Sequence, residues 1–246
     1  MSTTASNLNI IAVHEVYFPV TNVAASIDWY MRNFALRLVH REERQATLRL
    51  AEGCLLTLLE STQLNRYDSP PINFKAHDAR KAHAQLNKAE VRAQEPDTFY
   101  HYVDFDVWDP DGNPFNVISE PAWPDTPNNY FRIDGVFLGV VNFDRMLAWY
   151  SDVLGAEIEY AFTGPTATLP EARFRCFRGI PVNIVESPAS VIRHRVCEFQ
   201  TANAEADYNY LQSKGVPVTK LVEQDGKRRF SFIDPEGREL GIVELL

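Results

Sequence analysis

The sequence predicts an α+β fold made of four β-α-β-β-β units, arranged as two similar halves. The first observation is a hairpin signal, Asp-Pro-(Asp/Glu)-Gly between two apolar strands, which occurs at residues 109–112 and again at residues 234–237. The second is a Trp-Tyr pair within an amphipathic stretch, at residues 29–30 and again at residues 149–150. Proline sets φ in such a turn and glycine accepts positive φ, so the signal alone marks only a turn. Its recurrence in matching surroundings indicates a duplicated structure.

The first unit opens with a strand over residues 11–20, in which apolar and polar side chains alternate. Asn22 is then expected to cap a helix, because the apolar residues after it recur on one helical face. That stripe consists of Val23, Ile27, Tyr30, Met31 and Phe34. Three further strands are predicted around residues 37–41, 46–50 and 54–59, with a turn at Glu52-Gly53. Together these elements make one β-α-β-β-β unit.

The other three units repeat this order. The second has a strand over residues 72–76, a helix capped by Asp78, and strands that lead to the Asp109 turn. The third and fourth have strands over residues 136–140 and 196–201, each followed by a helix with an asparagine cap and a glycine end. The caps are Asn142 and Asn203, and the glycines are Gly155 and Gly215.

Residues 121–131 contain three prolines and no periodicity, which predicts a linker. The predicted domains are therefore residues 10–120 and 132–246, with an N-terminal tail over residues 1–9. The sequence leaves open whether the first unit pairs with the second or with a unit of the other half. It also leaves open whether the protein is a monomer or a homodimer.

Composition excludes several classes of partner. The net charge is −9, and no basic cluster exceeds Lys227-Arg228-Arg229, which argues against nucleic acid and anionic membranes. The cysteines, Cys54, Cys176 and Cys197, are far apart and odd in number, as expected in a reducing compartment. No apolar run approaches the roughly 18 residues of a membrane span. The expected location is therefore the cytoplasm.

The repeated motifs resemble those of a known superfamily. In each half a helix ends in Trp-Tyr-x-x-x-(Leu/Phe)-(Gly/Ala), and one unit later a strand closes in Asp-Pro-(Asp/Glu)-Gly. This pattern resembles the vicinal oxygen chelate superfamily, which includes glyoxalase I, bleomycin-resistance proteins and extradiol dioxygenases. The resemblance covers residues 10–120 and 133–246. It implies two paired-unit domains, in tandem, whose curved mixed sheets enclose cavities, and it leaves the activity open because the fold hosts several.

The resemblance also implies positions for metal ligands on the first and final strands of each unit. In this sequence they are Glu15, Thr57, Pro71, Asn116, Gly135, Asn183, Val196 and Gly241. A transition metal needs three or more imidazole, carboxylate or thiolate donors, and only Glu15 supplies one. No metal ligand set and no cofactor are predicted, although a divalent metal is left open. His14 adjoins Glu15 and is expected to point to the opposite side of its strand, as a structural histidine.

Strand alternation predicts which side chains face the cavities. Over residues 102–107, Tyr102, Asp104 and Asp106 share one face, and the apolar residues between them share the buried face. The full set of predicted ligand-binding residues is Tyr17, Thr57, Asn73, Lys75, Tyr102, Asp104, Asp106, Asn116, Asn183, Glu198 and Arg229. Phe137, Gln200 and Ser231 are expected beside them. These faces are polar with aromatic neighbours, which suits a small organic molecule.

Three hypotheses for function follow. The first is a metal-independent protein of the sequestration or resistance kind, which binds a small molecule in such a cavity. The second is a glyoxalase-like lyase or isomerase, or a dioxygenase, with Glu15 as general base or as part of a metal site with Asp104 or Asp106. The third is a scaffold or regulatory partner, for which the sequence offers no positive sign.

The carboxylates also suggest the charge of the ligand. Carboxylates beside aromatic faces attract positive charge, which favours a cationic or amine ligand. The cavity is expected within residues 10–120, where Tyr17, Tyr102, Asp104, Asp106 and Asn116 would face Glu15.

Overall fold

The computed structural model describes residues 8–123 and 129–246. Residues 1–7 of the predicted tail and residues 124–128 of the predicted linker lie outside them. The helices are α1 (Val23–Phe34), α2 (Ala79–Lys88), α3 (Phe143–Leu154) and α4 (Ala204–Ser213). All four predicted caps are confirmed, since the side chains of Asn22, Asp78, Asn142 and Asn203 each accept a backbone N–H three residues later. Within the described ranges, no helix is long and apolar enough to cross a membrane.

The strands form three mixed sheets. The eight-stranded sheet has the order β16 (Val222–Gln224), β17 (Lys227–Ile233), β18 (Glu239–Leu245), β15 (Cys197–Thr201), β1 (Ile10–Val20), β5 (Leu55–Glu60), β3 (Gln45–Arg49) and β2 (Arg37–Arg41). The six-stranded sheet has the order β4 (Glu52–Gly53), β10 (Tyr130–Asp134), β6 (Asn73–Ala76), β9 (Pro114–Ser119), β8 (Tyr102–Trp108) and β7 (Asp97–Phe99). The four-stranded sheet has the order β11 (Val136–Val140), β14 (Val182–Glu186), β13 (Ala172–Arg178) and β12 (Glu157–Gly164).

The sheets join units from opposite halves of the sequence. β1 of the first unit runs antiparallel to β15 of the fourth, with Glu15 opposite Glu198. The second and third units adjoin, because β10 pairs with β6 and the Phe137 N–H donates to the Pro71 carbonyl at 2.9 Å. The first unit thus shares a sheet with the fourth, and the second lies against the third. The halves 10–120 and 132–246 remain a prediction about the repeat, and β10 includes the last two residues of the predicted linker.

The repeated hairpins hold consecutive units together. The Asp111 carboxylate accepts hydrogen bonds from the Thr21 N–H (3.0 Å) and the Thr21 hydroxyl (2.6 Å), just before α1. At the equivalent place before α3, Glu236 accepts from the N–H groups of Val141 (2.9 Å) and Asn142 (2.8 Å). Anionic groups are favourable at a helix N-terminus, where backbone N–H groups lack partners. The recurring acidic turn therefore fastens the second unit to the first, and the fourth to the third.

The predicted core is confirmed with two exceptions. Met31 was predicted on the buried stripe of α1, but it is 42% exposed. Val16, Phe18, Val20, Ile27, Tyr30, Val136, Leu138, Val140 and Tyr150 are all buried between helix and sheet. Leu147 is only partly buried, at the margin of this core. A turn was predicted at Glu52-Gly53, but these residues form β4, which runs parallel to β10. The approach is so close that a Cβ on Gly53 would lie 2.1 Å from the Ile133 carbonyl oxygen, so only glycine is accommodated.

Truncation of either repeated tyrosine is expected to destabilise the fold strongly. Tyr30→Ala and Tyr150→Ala should each lower the free energy of unfolding by about 3 kcal/mol, because each empties a fully buried aromatic site. The phenylalanine variants should differ, since the Tyr30 hydroxyl donates to Asp109 at 3.0 Å. The Tyr150 hydroxyl has no hydrogen-bond partner among the described atoms. Tyr30→Phe should cost about 1 kcal/mol and Tyr150→Phe much less, as measured by urea denaturation. Unchanged denaturation midpoints would contradict this packing.

Candidate functional site

The predicted site residues divide between two concave faces. Glu15, Tyr17, Thr57, Glu198 and Arg229 lie on the eight-stranded sheet of the first and fourth units. Asn73, Tyr102, Asp104, Asp106 and Asn116 line a cavity between the second and third units. The prediction that the acids of β8 face Glu15 is therefore wrong. β1 pairs with the fourth unit and β8 with β9, which places the two groups in different sheets.

Two predicted ligand residues are engaged elsewhere. The Lys75 ammonium lies 3.3 Å from Asp134 and 4.8 Å from the centre of the Trp123 ring, and Lys75 does not line the cavity. The Asn183 side chain accepts the Phe177 N–H at 3.1 Å. Both side chains therefore serve local structure.

The cavity between the second and third units has a volume of about 460 Å³. One wall comes from β7, β8 and β9 of the second unit. The opposite wall comes from the third unit, through Phe137, Phe162 and Phe174. The cavity is thus built by both halves of the chain and is not confined to residues 10–120 as predicted.

An amide bridges two carboxylates on the cavity floor. The Asn116 Nδ2 atom donates to Asp104 Oδ2 at 2.8 Å and to Asp106 Oδ1 at 3.0 Å. Alternation along β8 places both acids on one face, as predicted. Burial raises the pKa of Asp106 to about 6, with Asp104 adding to the rise and Asn116 opposing it. Burial also raises the pKa of Asp104. At a pKa of about 6, Asp106 is mainly ionised at neutral pH, and neither acid has a cationic partner among the described residues that line the cavity.

Aromatic rings form the opposite wall. Phe162 and Phe174 are register partners on β12 and β13, and their rings stack at 4.8 Å with an interplanar angle of 7°. The ring centres of Phe99 of β7 and Phe162 lie 5.2 Å apart, so the aromatic wall includes residues of both units. Sequence reasoning missed Phe99, Phe162 and Phe174. Alternation within residues 157–164 and 172–178 was the available signal for the last two.

The charge of the cavity is one-sided. Five carboxylates line it, from Asp68, Glu95, Asp97, Asp104 and Asp106. No lysine, arginine or histidine is among the described residues that line it. Asp68 is buried, and its Oδ1 atom has no hydrogen-bond partner in the part of the chain that the structure describes. Sequence reasoning missed Asp68, Glu95 and Asp97, because they lie in a loop or at a strand end without periodicity.

The other concave face is an ion-pair network. The hydroxyls of Thr57 and Tyr17 donate to Glu15, and Thr57 is itself 2.7 Å from Thr47. Glu198 is only 1% exposed, and burial raises its pKa.

Two guanidinium groups accompany the buried Glu198. Arg195 Nη1 lies 3.6 Å from its Oε1 atom, and Arg229 Nη2 lies 3.6 Å from its Oε2 atom. The face predicted to hold a ligand is thus largely occupied by its own side chains.

The first strand departs from simple alternation at His14. The register of β1 against β15 shifts between Val13 and Glu15, which makes His14 the extra residue of a β-bulge. A ring nitrogen of His14 therefore lies within 4.8 Å of carboxylate oxygens of Glu15 and Glu198. The prediction that His14 points away from Glu15 is wrong. The position expected for Val196 is likewise taken by Glu198, which pairs with both Glu15 and Gly241.

These three donors do not suit a divalent cation. A metal bound by His14, Glu15 and Glu198 would lie close to the guanidinium groups beside Glu198. Two unit charges 4 Å apart interact by roughly 4 kcal/mol at an effective dielectric constant of 20, and a divalent ion doubles the repulsion. Glu15 is moreover already satisfied by two hydroxyl donors. No metal-dependent step is therefore assigned to this face.

The chain also matches proteins already known. A family model described as the Glyoxalase/Bleomycin resistance protein/Dioxygenase superfamily matches residues 12–117. Residues 12–117 of the chain therefore belong to this superfamily. No curated protein matches its sequence.

Solved structures share the fold of this chain along nearly its full length. A putative dioxygenase from Bacillus subtilis subsp. subtilis str. 168 has a TM-score of 0.74 at 12% identity, over 97% of this chain and 86% of that one. Glyoxalase I from Zea mays has a TM-score of 0.69 at 17% identity, over 95% of this chain and 92% of that one. At such identities the likeness is one of fold. The two concave faces of this protein differ, since one holds an open acidic cavity and the other a network of ion pairs.

Proposed function

We propose that this protein binds a small organic cation in the cavity between its second and third units. The observation that carries the proposal is the composition of the walls, which have five carboxylates and no basic side chain among their described residues. Of these, Asp68 is buried and Asp104 and Asp106 are half-buried. Carboxylates withdrawn from water without a cationic partner are costly, so a positively charged ligand would offset that cost.

The floor and the wall suit different parts of one ligand. Asp104 and Asp106, spaced by Asn116, offer oxygens to an ammonium or guanidinium group. The rings of Phe99, Phe162 and Phe174 offer an apolar surface to a planar or hydrocarbon body, and their faces also attract positive charge. The expected ligand therefore joins a cationic head to an apolar or aromatic body.

Binding of three matched probes tests this proposal. Phenethylamine, phenethyl alcohol and 3-phenylpropionate have a similar aromatic body but carry positive, neutral and negative charge. Isothermal titration calorimetry at pH 7.5 should show the amine binding at least about tenfold more tightly than the alcohol, and the carboxylate not at all. Equal binding of all three, or preference for the carboxylate, would rule the proposal out.

The affinity for the amine is expected to depend on pH. The pKa of Asp106 is raised to about 6, so its carboxylate is ionised at pH 7.5 and mostly protonated at pH 5. The amine remains protonated throughout, and its affinity should therefore fall by about tenfold between pH 7.5 and pH 5. The fall should begin as the pH passes down through about 6. In the Asp106→Asn variant the pH dependence should flatten, and a steep dependence retained there would contradict the role of Asp106.

The same carboxylate supports a second candidate function. A carboxylate in a cavity with a pKa of about 6 can accept a proton from a bound substrate near neutral pH, as in metal-independent isomerisation. This revises the prediction of Glu15 as general base, since Glu15 does not line the cavity. Exchange of C–H protons of a bound amine for deuterium, followed by NMR in D₂O, would distinguish catalysis from binding. Exchange lost in Asp106→Asn would favour the enzyme.

A further inference from the structure

We infer that the guanidinium group of Arg195 acts as a built-in cation on the concave face of the eight-stranded sheet, where it keeps divalent metal ions from binding between Glu15 and Glu198. This role of Arg195 does not depend on the ligand proposed for the acidic cavity, which is a separate site. Three features support it: the contacts that hold Arg195, the space beside Gly241, and the charges of the neighbouring side chains.

Arg195 is fixed from several directions. Its Nη2 atom donates to Ser231 Oγ at 2.7 Å and also forms an ion pair with Glu239. Its Nη1 atom lies 3.6 Å from Glu198 Oε1, and its guanidinium carbon lies 5.9 Å from the centre of the Tyr17 ring. A guanidinium is always charged and presents its donors in a rigid fork. Its positive charge therefore lies permanently beside Glu198 and the ring that hydrogen-bonds Glu15.

The final strand leaves room for this group. Gly241 pairs with Glu198 across β15 and β18. A Cβ atom on Gly241 would lie 3.0 Å from Arg195 Nη1 and 2.9 Å from Glu198 Cγ, closer than ordinary contacts allow. A side chain at position 241 would therefore require Arg195 or Glu198 to move from its observed place. The resemblance implied a metal ligand at this position, and here the guanidinium fills the space instead.

Two guanidinium groups already lie beside the carboxylate of Glu198. Arg195 and Arg229 both approach it, and Arg195 also pairs with Glu239. The His14 ring nitrogen Nε2 is buried without a hydrogen-bond partner among the described atoms, so it is available as a metal ligand. With Arg195 removed, the same three donors would face one fewer positive charge and an open space.

Metal titration of the untagged chain tests this inference. After treatment with EDTA and dialysis, NiCl₂, ZnCl₂ and MnCl₂ are titrated separately by calorimetry into the unchanged protein and into Arg195→Ala. The variant should bind one ion per chain at least about 100-fold more tightly than the unchanged protein. Arg228→Ala is the matched control, because it removes a positive charge that pairs with Glu223 and Glu244 on the same sheet. It should leave metal affinity unchanged.

Two further variants keep the outcome decisive. Adding Glu198→Gln to Arg195→Ala should abolish the new site. If Arg195→Ala fails to fold by circular dichroism, Arg195→Gln removes the same charge with less loss of volume. Tight binding by the unchanged protein, no gain in a folded Arg195 variant, or binding that survives Glu198→Gln would each overturn the inference.

Discussion

Replacement of Asp104 and Asp106 together by asparagine is expected to lower the affinity for an organic amine by on the order of 1,000-fold, or about 4 kcal/mol. Each carboxylate would form a charge-assisted contact with the cationic head, worth about 1.5–3 kcal/mol. Asparagine keeps an oxygen that can accept from Asn116, so the shape of the floor should persist. Calorimetry with phenethylamine, before and after the double substitution, measures the loss.

Stability measurements show whether the loss of affinity comes merely from unfolding of the double variant. Burial raises the pKa of both carboxyls above their unfolded values, so their ionisation opposes folding at pH 7.5. For Asp106 that penalty is present above about pH 6 and fades as the pH falls through 6. The double variant should therefore unfold at the same or a higher urea concentration than the unchanged protein at pH 7.5. Glu15→Gln, on the other concave face, should change amine affinity less than about twofold. A similar loss in Glu15→Gln would contradict the separation of the two faces.

Asp234→Ala is expected to lower the free energy of unfolding by about 4 kcal/mol, because it leaves a buried charge without its main partner. Asp234 accepts hydrogen bonds from the N–H groups of Glu236 and Arg238, both at 2.9 Å. It also accepts from Arg238 Nε at 2.6 Å, and Arg238 is only 7% exposed. Urea denaturation at pH 7.5 measures the effect.

The equivalent change in the first half provides the comparison. Asp109 accepts from the N–H groups of Asp111 and Asn113, from Asn113 Nδ2 and from the Tyr30 hydroxyl. These partners are neutral, and burial raises the pKa of Asp109 to about 6, so removal also relieves an unfavourable ionisation. Asp109→Ala should therefore cost only about 2 kcal/mol. The double variant with Asp234→Ala and Arg238→Met should recover part of the stability lost in Asp234→Ala, because the unpaired charge of Arg238 is also removed. If no stability is recovered, the unpaired charge is not the cause of the loss.

The two Asp-Pro-x-Gly turns show why the repeat could be predicted from the sequence, whereas the contacts made by each turn could be predicted only in part. The turn residues recur because proline, glycine and a backbone-binding aspartate are local requirements of the hairpin. Asp109 also accepts from Tyr30 of α1, which is far away in the sequence, whereas Asp234 pairs with Arg238, four residues later in the same turn. The Arg238 contact was therefore within reach of local reasoning, and the Tyr30 contact was not.

The acidic face of β8 could likewise be predicted from the sequence, but the residues opposite it could not. Alternation placed Tyr102, Asp104 and Asp106 together, because strand geometry sets that relation within a few residues. The aromatic wall opposite them comes from Phe162 and Phe174 of the third unit. Nothing local in β8 indicates which unit faces it.

The sequence by itself determined the α+β class, the four helices with their caps, the buried stripes and the repeated hairpins, because each depends on neighbours a few residues apart. Only the tertiary structure decided that the first unit shares a sheet with the fourth, and that the acids of β8 face the third unit instead of Glu15. Only it decided the bulge that turns His14 toward Glu15, since a bulge is defined by the partner strand. The physical reason is that strand pairing between distant segments is set by which buried faces fit together, and alternation within one strand carries no information about its partner.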